Sequence, residues 1–309
     1  MPAFEVELTL LVPAASRADG ARLPPIRKAE RPTYSRHASA SEALGAVLDE
    51  CLAQITLNAI GLLGGDPALR VDQVHQLRIG VRRLRSALQG FAGWAPAAPV
   101  ELVDGLKALF TQLGRARDVD VLKGSVAAAL AQAGAPRLAL PAPHRGPDLA
   151  QAVRDGEVQR VFLGWQAWRD SLCSQGQASR AAPEFHRGVR RRLRRWHRRI
   201  EADWKAFDDL DDAALHALRK RIKRLRYAVE FFTPVLRRRH VARYLEPLAV
   251  VQDRMGELND LFMAKARYQA LLGRHPEAWF ALGWIAARTA EVRALARSEL
   301  GLLARAGAP

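Results

Sequence analysis

Hydrophobic and polar positions divide the chain into three parts. Residues 4–10 alternate apolar and polar side chains with a period of two, which predicts one half-buried β-strand. Residues 13–40 are rich in proline and glycine, which is typical of a linker or an extended arm. From residue 41 onward, apolar residues recur every three or four positions. The pattern therefore predicts an all-α protein with a short extended N-terminal arm.

The helical periodicity also predicts where the individual helices lie, to within a few residues. The predicted helices cover 41–63, 71–91, 99–114, 118–133, 148–172, 184–205, 212–232, 239–256, 259–272 and 277–304. Two segments rich in helix breakers, 134–147 and 174–183, interrupt them.

An internal repeat indicates the domain organisation. Residues 74–85 return as 215–226, and both copies continue to an aromatic residue, Phe91 in the first and Phe232 in the second. Self-similarity of this kind indicates duplicated structural units. We therefore predict an N-terminal strand and linker over 1–40, a first helical repeat over 41–173 and a second over 174–309.

Each repeat contains a helix with one cationic face. At 100° per residue, the cationic residues of the first copy fall within an arc of about 80°, and its apolar stripe is centred about 110° away. The stripe residues are His75, Arg78, Arg82 and Arg85 in the first copy, and His216, Arg219, Lys223 and Arg226 in the second. Each stripe is predicted to extend about 15 Å along its helix.

Charge favours an anionic partner. The chain has 48 Lys and Arg against 32 Asp and Glu, a net charge of +16 and a pI near 10.9. No acidic residue interrupts 73–88 or 213–229, so the cations of each helix repel one another until an anion arrives. Arg side chains grip phosphate oxygens bidentately and keep their charge near neutral pH. The alternative is a solvated helix face, which most surface helices show.

The candidate ligands for an extended phosphate chain come from both motif helices and from an Arg-rich block at 186–199. They are His75, Arg78, Arg82, Arg83, Arg85, His216, Arg219, Lys220, Lys223, Arg224, Arg226, Arg191, Arg194, Arg195 and Arg198. The two histidines have a second interpretation as hydrogen-bonded structural residues. If they are ligands, the anion favours their charged form, and binding should tighten toward about pH 6.

These residues resemble the CHAD family, the conserved histidine alpha-helical domain. Its hallmark is His-x-x-Arg-x-x-x-Arg-Arg-x-Arg, which 75–85 match throughout and 216–226 match with Lys223 in place of one Arg. Each motif is followed by Gly and Asp, as Gly114 and Asp118 and as Gly256 and Asp260. The resemblance covers about 41–309. It implies two four-helix bundles related by a pseudo-twofold axis around a shared basic channel, polyphosphate binding, and association with polyphosphate granules.

The N-terminal arm resembles a worn copy of a CYTH triphosphate-processing domain. Residues 5–9 are similar to its opening Glu-x-Glu-x-Lys strand, and 28–31 are similar to the junction before the helical region. Thr9 replaces the lysine, and the barrel sequence between is absent, so no triphosphatase activity is expected.

Two other functions compete with polyphosphate binding. A phosphoryl-transfer enzyme needs metal-binding carboxylates or a nucleotide loop, whereas Asp118, Asp120 and Asp260 are scattered at predicted helix starts, where capping explains them better. We therefore expect no catalysis, metal or cofactor. Nucleic acid could bind nonspecifically by charge alone, but most aromatic residues lie on apolar stripes. Cys51 and Cys173 are predicted to be core thiols.

The cellular location is predicted from two features that the sequence lacks. Glu5 and Glu7 stand where a signal peptide has positive charge, and no apolar run approaches the roughly 18 residues that span a bilayer. The expectation is a cytoplasmic protein at polyphosphate granules, with granule-associated proteins as possible partners and no membrane contact.

Overall fold

The computed structural model describes residues 26–64, 66–136, 138, 149–174 and 182–308, without the side chains of 114–125, 149 and 173–174. Within these ranges the chain forms α-helices and two short 3₁₀ turns, and no strand is present. The all-α prediction is confirmed. The predicted strand at 4–10 lies outside the described residues.

The helices are numbered here in chain order. They are α1 (Ala40–Gly64), α2 (Arg70–Phe91), α3 (Val100–Gln132), α4 (Leu149–Arg154), α5 (Gly156–Ser174), α6 (Ala182–Lys205), α7 (Asp212–Phe231), α8 (Arg238–Gln269) and α9 (Ala278–Arg305). The 3₁₀ turns are Phe207–Asp209 and Thr233–Val235.

Two predicted helix breaks are wrong. α3 runs through 115–117 and α8 runs through 257–258, because the residues there include good helix formers and no proline. Asp118, Asp120 and Asp260 therefore lie inside helices, and the prediction that they cap helix starts is wrong as well.

One predicted helix, 148–172, is instead divided at Asp155 into α4 and α5. The Asp155 carboxylate accepts a hydrogen bond of 2.8 Å from the backbone N–H of Glu157. This is an N-cap that starts α5.

Contacts divide the chain into two compact units. Unit 1 comprises 1–117, 145–188 and 230–235, and unit 2 comprises 118–144, 189–229 and 236–309. These units follow packing rather than sequence similarity, and the repeat boundaries at 41–173 and 174–309 stay a prediction.

The core of unit 1 is built around α1, which packs against α2, α4 and α5. A Cβ atom on Gly80 would lie 2.8 Å from Cγ1 of Ile55, so the glycine lets α1 and α2 approach closely. Cys51 is fully buried in this core, as predicted, and burial raises its pKa to about 11. The side chain of Cys173 lies outside the description.

By length and composition alone, α1 is apolar enough to cross a membrane, which the sequence analysis did not expect. However, 67% of its apolar window is buried inside the protein. A buried core helix passes the same test, so this helix is weak evidence for a span.

Four aromatic residues form a cluster in unit 1. The Phe91 ring lies 4.9 Å from the Phe232 ring and 5.8 Å from the Phe185 ring. Trp94 meets Phe185 edge to face at 5.6 Å. The aromatic residues that end the two repeated motifs thus pack together, and such ring pairs add stability beyond their buried area.

The described part of the N-terminal arm, 26–39, forms no helix or strand and is held against the rest of unit 1. The Tyr34 hydroxyl donates a 2.8 Å hydrogen bond to the backbone carbonyl of Phe231, and Arg27 pairs with Glu50 at 2.9 Å. Burial raises the pKa of Tyr34.

In unit 2, α8 packs along α9, and α6 contacts both. The Nδ1 atom of His197 on α6 lies 2.8 Å from the hydroxyl of Tyr244 on α8. The Trp204 indole N–H, also on α6, donates to the backbone carbonyl of Arg297 on α9 at 3.1 Å.

Candidate functional site

The first motif helix, α2, separates its apolar and cationic residues as predicted. Leu77, Val81 and Leu84 are fully buried. Arg82 and Arg85 are half-buried, as is His75. Arg78 is only 8% exposed, so the cationic face is partly enclosed and is not uniformly exposed to solvent.

Phe110 on α3 brings three motif arginines together within unit 1. The guanidinium carbons of Arg78, Arg82 and Arg85 lie 5.0, 5.6 and 5.8 Å from the centroid of its ring. At these distances the negative face of a ring attracts a guanidinium group. Among the residues whose side chains are described, neither Arg82 nor Arg85 has a carboxylate partner. Within the described side chains, the charges of Arg82 and Arg85 are thus held close to one ring without an acidic group to neutralise them.

Arg83 does not belong to this face, and its place among the candidate ligands is a correction. Its side chain is 1% exposed, and its guanidinium donates to the Gln54 side-chain oxygen at 3.2 Å and to the backbone carbonyl of Glu30. It also lies 5.5 Å from the Phe231 ring. Because its two terminal guanidinium nitrogens each donate to an interior acceptor, Arg83 holds the arm and α1 to α2.

The second motif helix, α7, presents His216 to solvent in unit 2. The Nδ1 atom of His216 lies 3.0 Å from the side-chain oxygen of Asn259 on α8. An amide oxygen only accepts, so Nδ1 carries the proton. In the neutral ring Nε2 is then an acceptor, and His216 can donate from Nε2 to a phosphate oxygen only when it is protonated.

The other members of the second cationic stripe share one environment. Half-buried positions on α7 are occupied by Arg219, Lys223 and Arg226. Leu218, Ile222 and Leu225 form the fully buried stripe of the same helix, as the periodicity predicts.

Lys220 and Arg224 lie on a different flank of α7. They line a cavity of about 500 Å³ with Trp196 and Arg199 of α6. Their azimuths are about 80° and 120° from the centre of the His216 stripe. The structure thus places these two candidates at a cavity rather than on the stripe.

The Arg-rich block forms the exposed surface of α6. Arg191, Arg194, Arg195 and Arg198 are exposed, while Val189, Leu193 and Ile200 are buried. Burial, followed by the nearby charge of Arg195, lowers the pKa of Arg192 to about 10. Burial is the larger cause, and the positive charge of Arg195 adds to it.

Two residues that organise the motif faces are not among the candidates predicted from the sequence. Phe110 gathers three arginines, and Asn259 fixes the tautomer of His216. Asn259 lies in the segment from Gly256 to Asp260, which repeats Gly114 to Asp118. For Phe110, the sequence shows no feature beyond the helical periodicity. In the described side chains, no group of three or more His, Cys, Asp or Glu is arranged to hold a metal ion.

The fold and these faces define an all-helical protein with two motif helices, each presenting His and Arg on one side. The CHAD domain family model matches residues 46–269, and the chain therefore belongs to the CHAD domain family. The chain is similar to the CHAD domain of the plant Ricinus communis, known from a crystal structure. The two share 30% sequence identity with a TM-score of 0.70, covering 89% of this chain and 96% of that one. No curated protein matches the sequence.

Proposed function

We propose that this protein binds inorganic polyphosphate on the cationic faces of its two motif helices, without catalysis, metal or cofactor. The observation that carries the proposal is the trio of Arg78, Arg82 and Arg85 around Phe110. Placing three guanidinium groups around one ring costs repulsion, which a chain of closely spaced phosphates relieves.

Geometry supports a phosphate chain over nucleic acid. Proteins that hold single strands stack bases on aromatic residues beside the cations. The ring of Phe110 is occupied by guanidinium groups, and the exposed aromatics Trp279 and Phe280 lie on α9 rather than on a motif helix. A polyphosphate chain needs no ring and presents an anionic group at every unit.

The same proposal implies a location for the protein in the cell. A polyphosphate-binding protein should be found where the polymer collects, in cytoplasmic polyphosphate granules. The exposed Arg191, Arg194, Arg195 and Arg198 on α6 would extend the attraction beyond the motif faces. Granule proteins are possible further partners.

A competition titration tests the proposed ligand. Long-chain polyphosphate and single-stranded DNA of equal total charge are titrated against the same labelled polyphosphate at moderate salt. Polyphosphate should compete at least about tenfold better than DNA. Diffuse charge attraction acts on both ligands, whereas the proposed contacts with the motif faces act on polyphosphate alone. Equal competition would show that charge alone determines binding.

Charge reversal tests the proposed faces. Arg82→Glu with Lys223→Glu should weaken polyphosphate binding by at least about tenfold per residue, because each contact is a charged hydrogen bond. Arg237→Glu with Arg239→Glu is the matched control, with the same change in net charge on exposed residues outside the motif faces. Equal losses in both double variants would contradict a defined site.

A further inference from the structure

The cavity beside α7 in unit 2 has features that the motif faces do not explain. Trp196, Arg199, Ala202 and Asp203 line it from α6, and Ala217, Lys220, Arg221 and Arg224 line it from α7. Its volume of about 500 Å³ falls in the range of small-molecule sites. The two alanines leave room between the longer side chains.

The cavity contains more positive charge than its one acid can neutralise. The Asp203 carboxylate pairs with Arg221 at 2.7 Å. Among the described side chains, Arg199, Lys220 and Arg224 have no carboxylate partner. Burial, followed by the nearby charges of Arg221 and Arg199, lowers the pKa of Arg224. Three unneutralised cations at one small cavity suit a ligand with several negative charges.

An aromatic wall distinguishes this cavity from a simple anion site. Trp196 is half-buried and lines it, and the guanidinium carbon of Arg224 lies 5.9 Å from the indole centroid. An inorganic phosphate chain has no ring that could stack on an indole. A planar heterocycle does, because bases stack on aromatic rings and on guanidinium planes.

In the first repeat, the residue that corresponds to Arg224 has a different environment. Arg83 holds the same motif position as Arg224, yet it is buried and donates to Gln54 and to the Glu30 carbonyl. A role shared by both motif helices therefore does not account for the cavity.

We infer that this cavity binds a nucleoside polyphosphate, with the base against Trp196 and the phosphates at Arg199, Lys220 and Arg224. The Asp203 carboxylate can accept a hydrogen bond from a sugar hydroxyl or a base amino group. The site is separate from the proposed polyphosphate faces, and its ligand is defined by a ring and a phosphate chain together.

Equilibrium dialysis with three probes tests the ligand class. ATP carries ring and phosphates, tripolyphosphate carries only the phosphates, and adenosine carries only the ring. ATP should bind at least about tenfold more tightly than either of the others, because each lacks one set of contacts. No ATP binding, or equal binding of ATP and tripolyphosphate, would overturn the inference.

Variants locate the site. Arg199→Gln with Lys220→Gln, both exposed, should weaken ATP binding by at least about tenfold. Arg187→Gln with Arg190→Gln, also exposed on α6, removes the same charge from residues that do not line the cavity and should change ATP affinity by less than about twofold. Equal losses in the two pairs would leave only diffuse attraction and overturn the site.

Trp196 supplies the test of ring recognition. Trp196→Leu should weaken ATP binding without changing tripolyphosphate binding, and Trp196→Phe should retain most of the ATP affinity. Parallel losses for both probes would overturn the role of the ring.

A measurement of long-chain polyphosphate affinity for the Arg199→Gln/Lys220→Gln protein tests whether the two sites are separate. This affinity should change no more than it does in the Arg187→Gln/Arg190→Gln protein. A loss as large as the loss of ATP affinity would show that the two ligands share one site.

Discussion

Replacement of Phe110 by leucine removes the ring that gathers three arginines while retaining an apolar side chain. A cation over an aromatic face contributes about 0.5–1 kcal/mol when exposed and about 2 kcal/mol when desolvated. Arg78, the closest at 5.0 Å and only 8% exposed, belongs near the upper value, and the half-buried Arg82 and Arg85 belong near the lower. The gross loss is about 3–4 kcal/mol, of which leucine contacts recover part.

We expect Phe110→Leu to lower the free energy of unfolding by about 1–2 kcal/mol at low salt. Without the ring the three guanidinium groups still repel one another, so added salt should shrink the difference by screening. Polyphosphate affinity should fall by about threefold to tenfold, because the arginines are no longer positioned before binding.

Denaturant unfolding at low and high salt, followed by polyphosphate titration, measures both effects. Phe280→Leu is the matched control, since its exposed ring has no described cation partner. If Phe110→Leu is no more destabilising than Phe280→Leu, or if its effect is independent of salt, the assigned role of the ring is refuted.

Three further predictions concern polar groups. Arg83→Met should lower the free energy of unfolding by about 2–4 kcal/mol, since it leaves buried acceptors unpaired, while the folded protein keeps its polyphosphate affinity within about twofold; unchanged thermal stability with lost affinity would contradict this. Burial lowers the pKa of His197, so the folded protein takes up its proton less readily than the unfolded chain. Stability from this residue is therefore retained above about pH 6.5 and lost as pH falls below it, and His197→Gln should flatten denaturant-measured stability there; an unchanged slope would exclude His197. Asn259→Ala removes the acceptor that orients the His216 ring, so polyphosphate affinity should fall by about twofold to fivefold; an unchanged affinity would show that this contact does not position His216 for binding.

Local periodicity was sufficient for the parts of the fold that depend on one helix at a time. The stripe of Leu77, Val81 and Leu84 is buried as its spacing predicts. Periodicity could not distinguish Arg83 from Arg224, which occupy the same position in their motifs. Glu30 and Gln54 meet Arg83, whereas residues of α6 form an open cavity beside Arg224. Those partners are distant in sequence and follow from tertiary packing.

Helix continuity was predicted less well than helix identity. Helices were predicted to begin at Asp118 and at Asn259, yet both residues lie within long helices. Capping preference is weaker than an uninterrupted run of helix-forming residues. The side chain of Asn259 was instead available to orient His216, which no local pattern could show.

The aromatic cluster of unit 1 changes how the tandem duplication should be understood. Phe91 and Trp94 precede the predicted boundary at 173, whereas Phe185 and Phe232 follow it, and all four belong to one packed core. A polypeptide ending at that boundary would leave the first pair facing water. The two copies are therefore not independent folding units. Two fragments produced by a break at residue 173 should fold only when both are present.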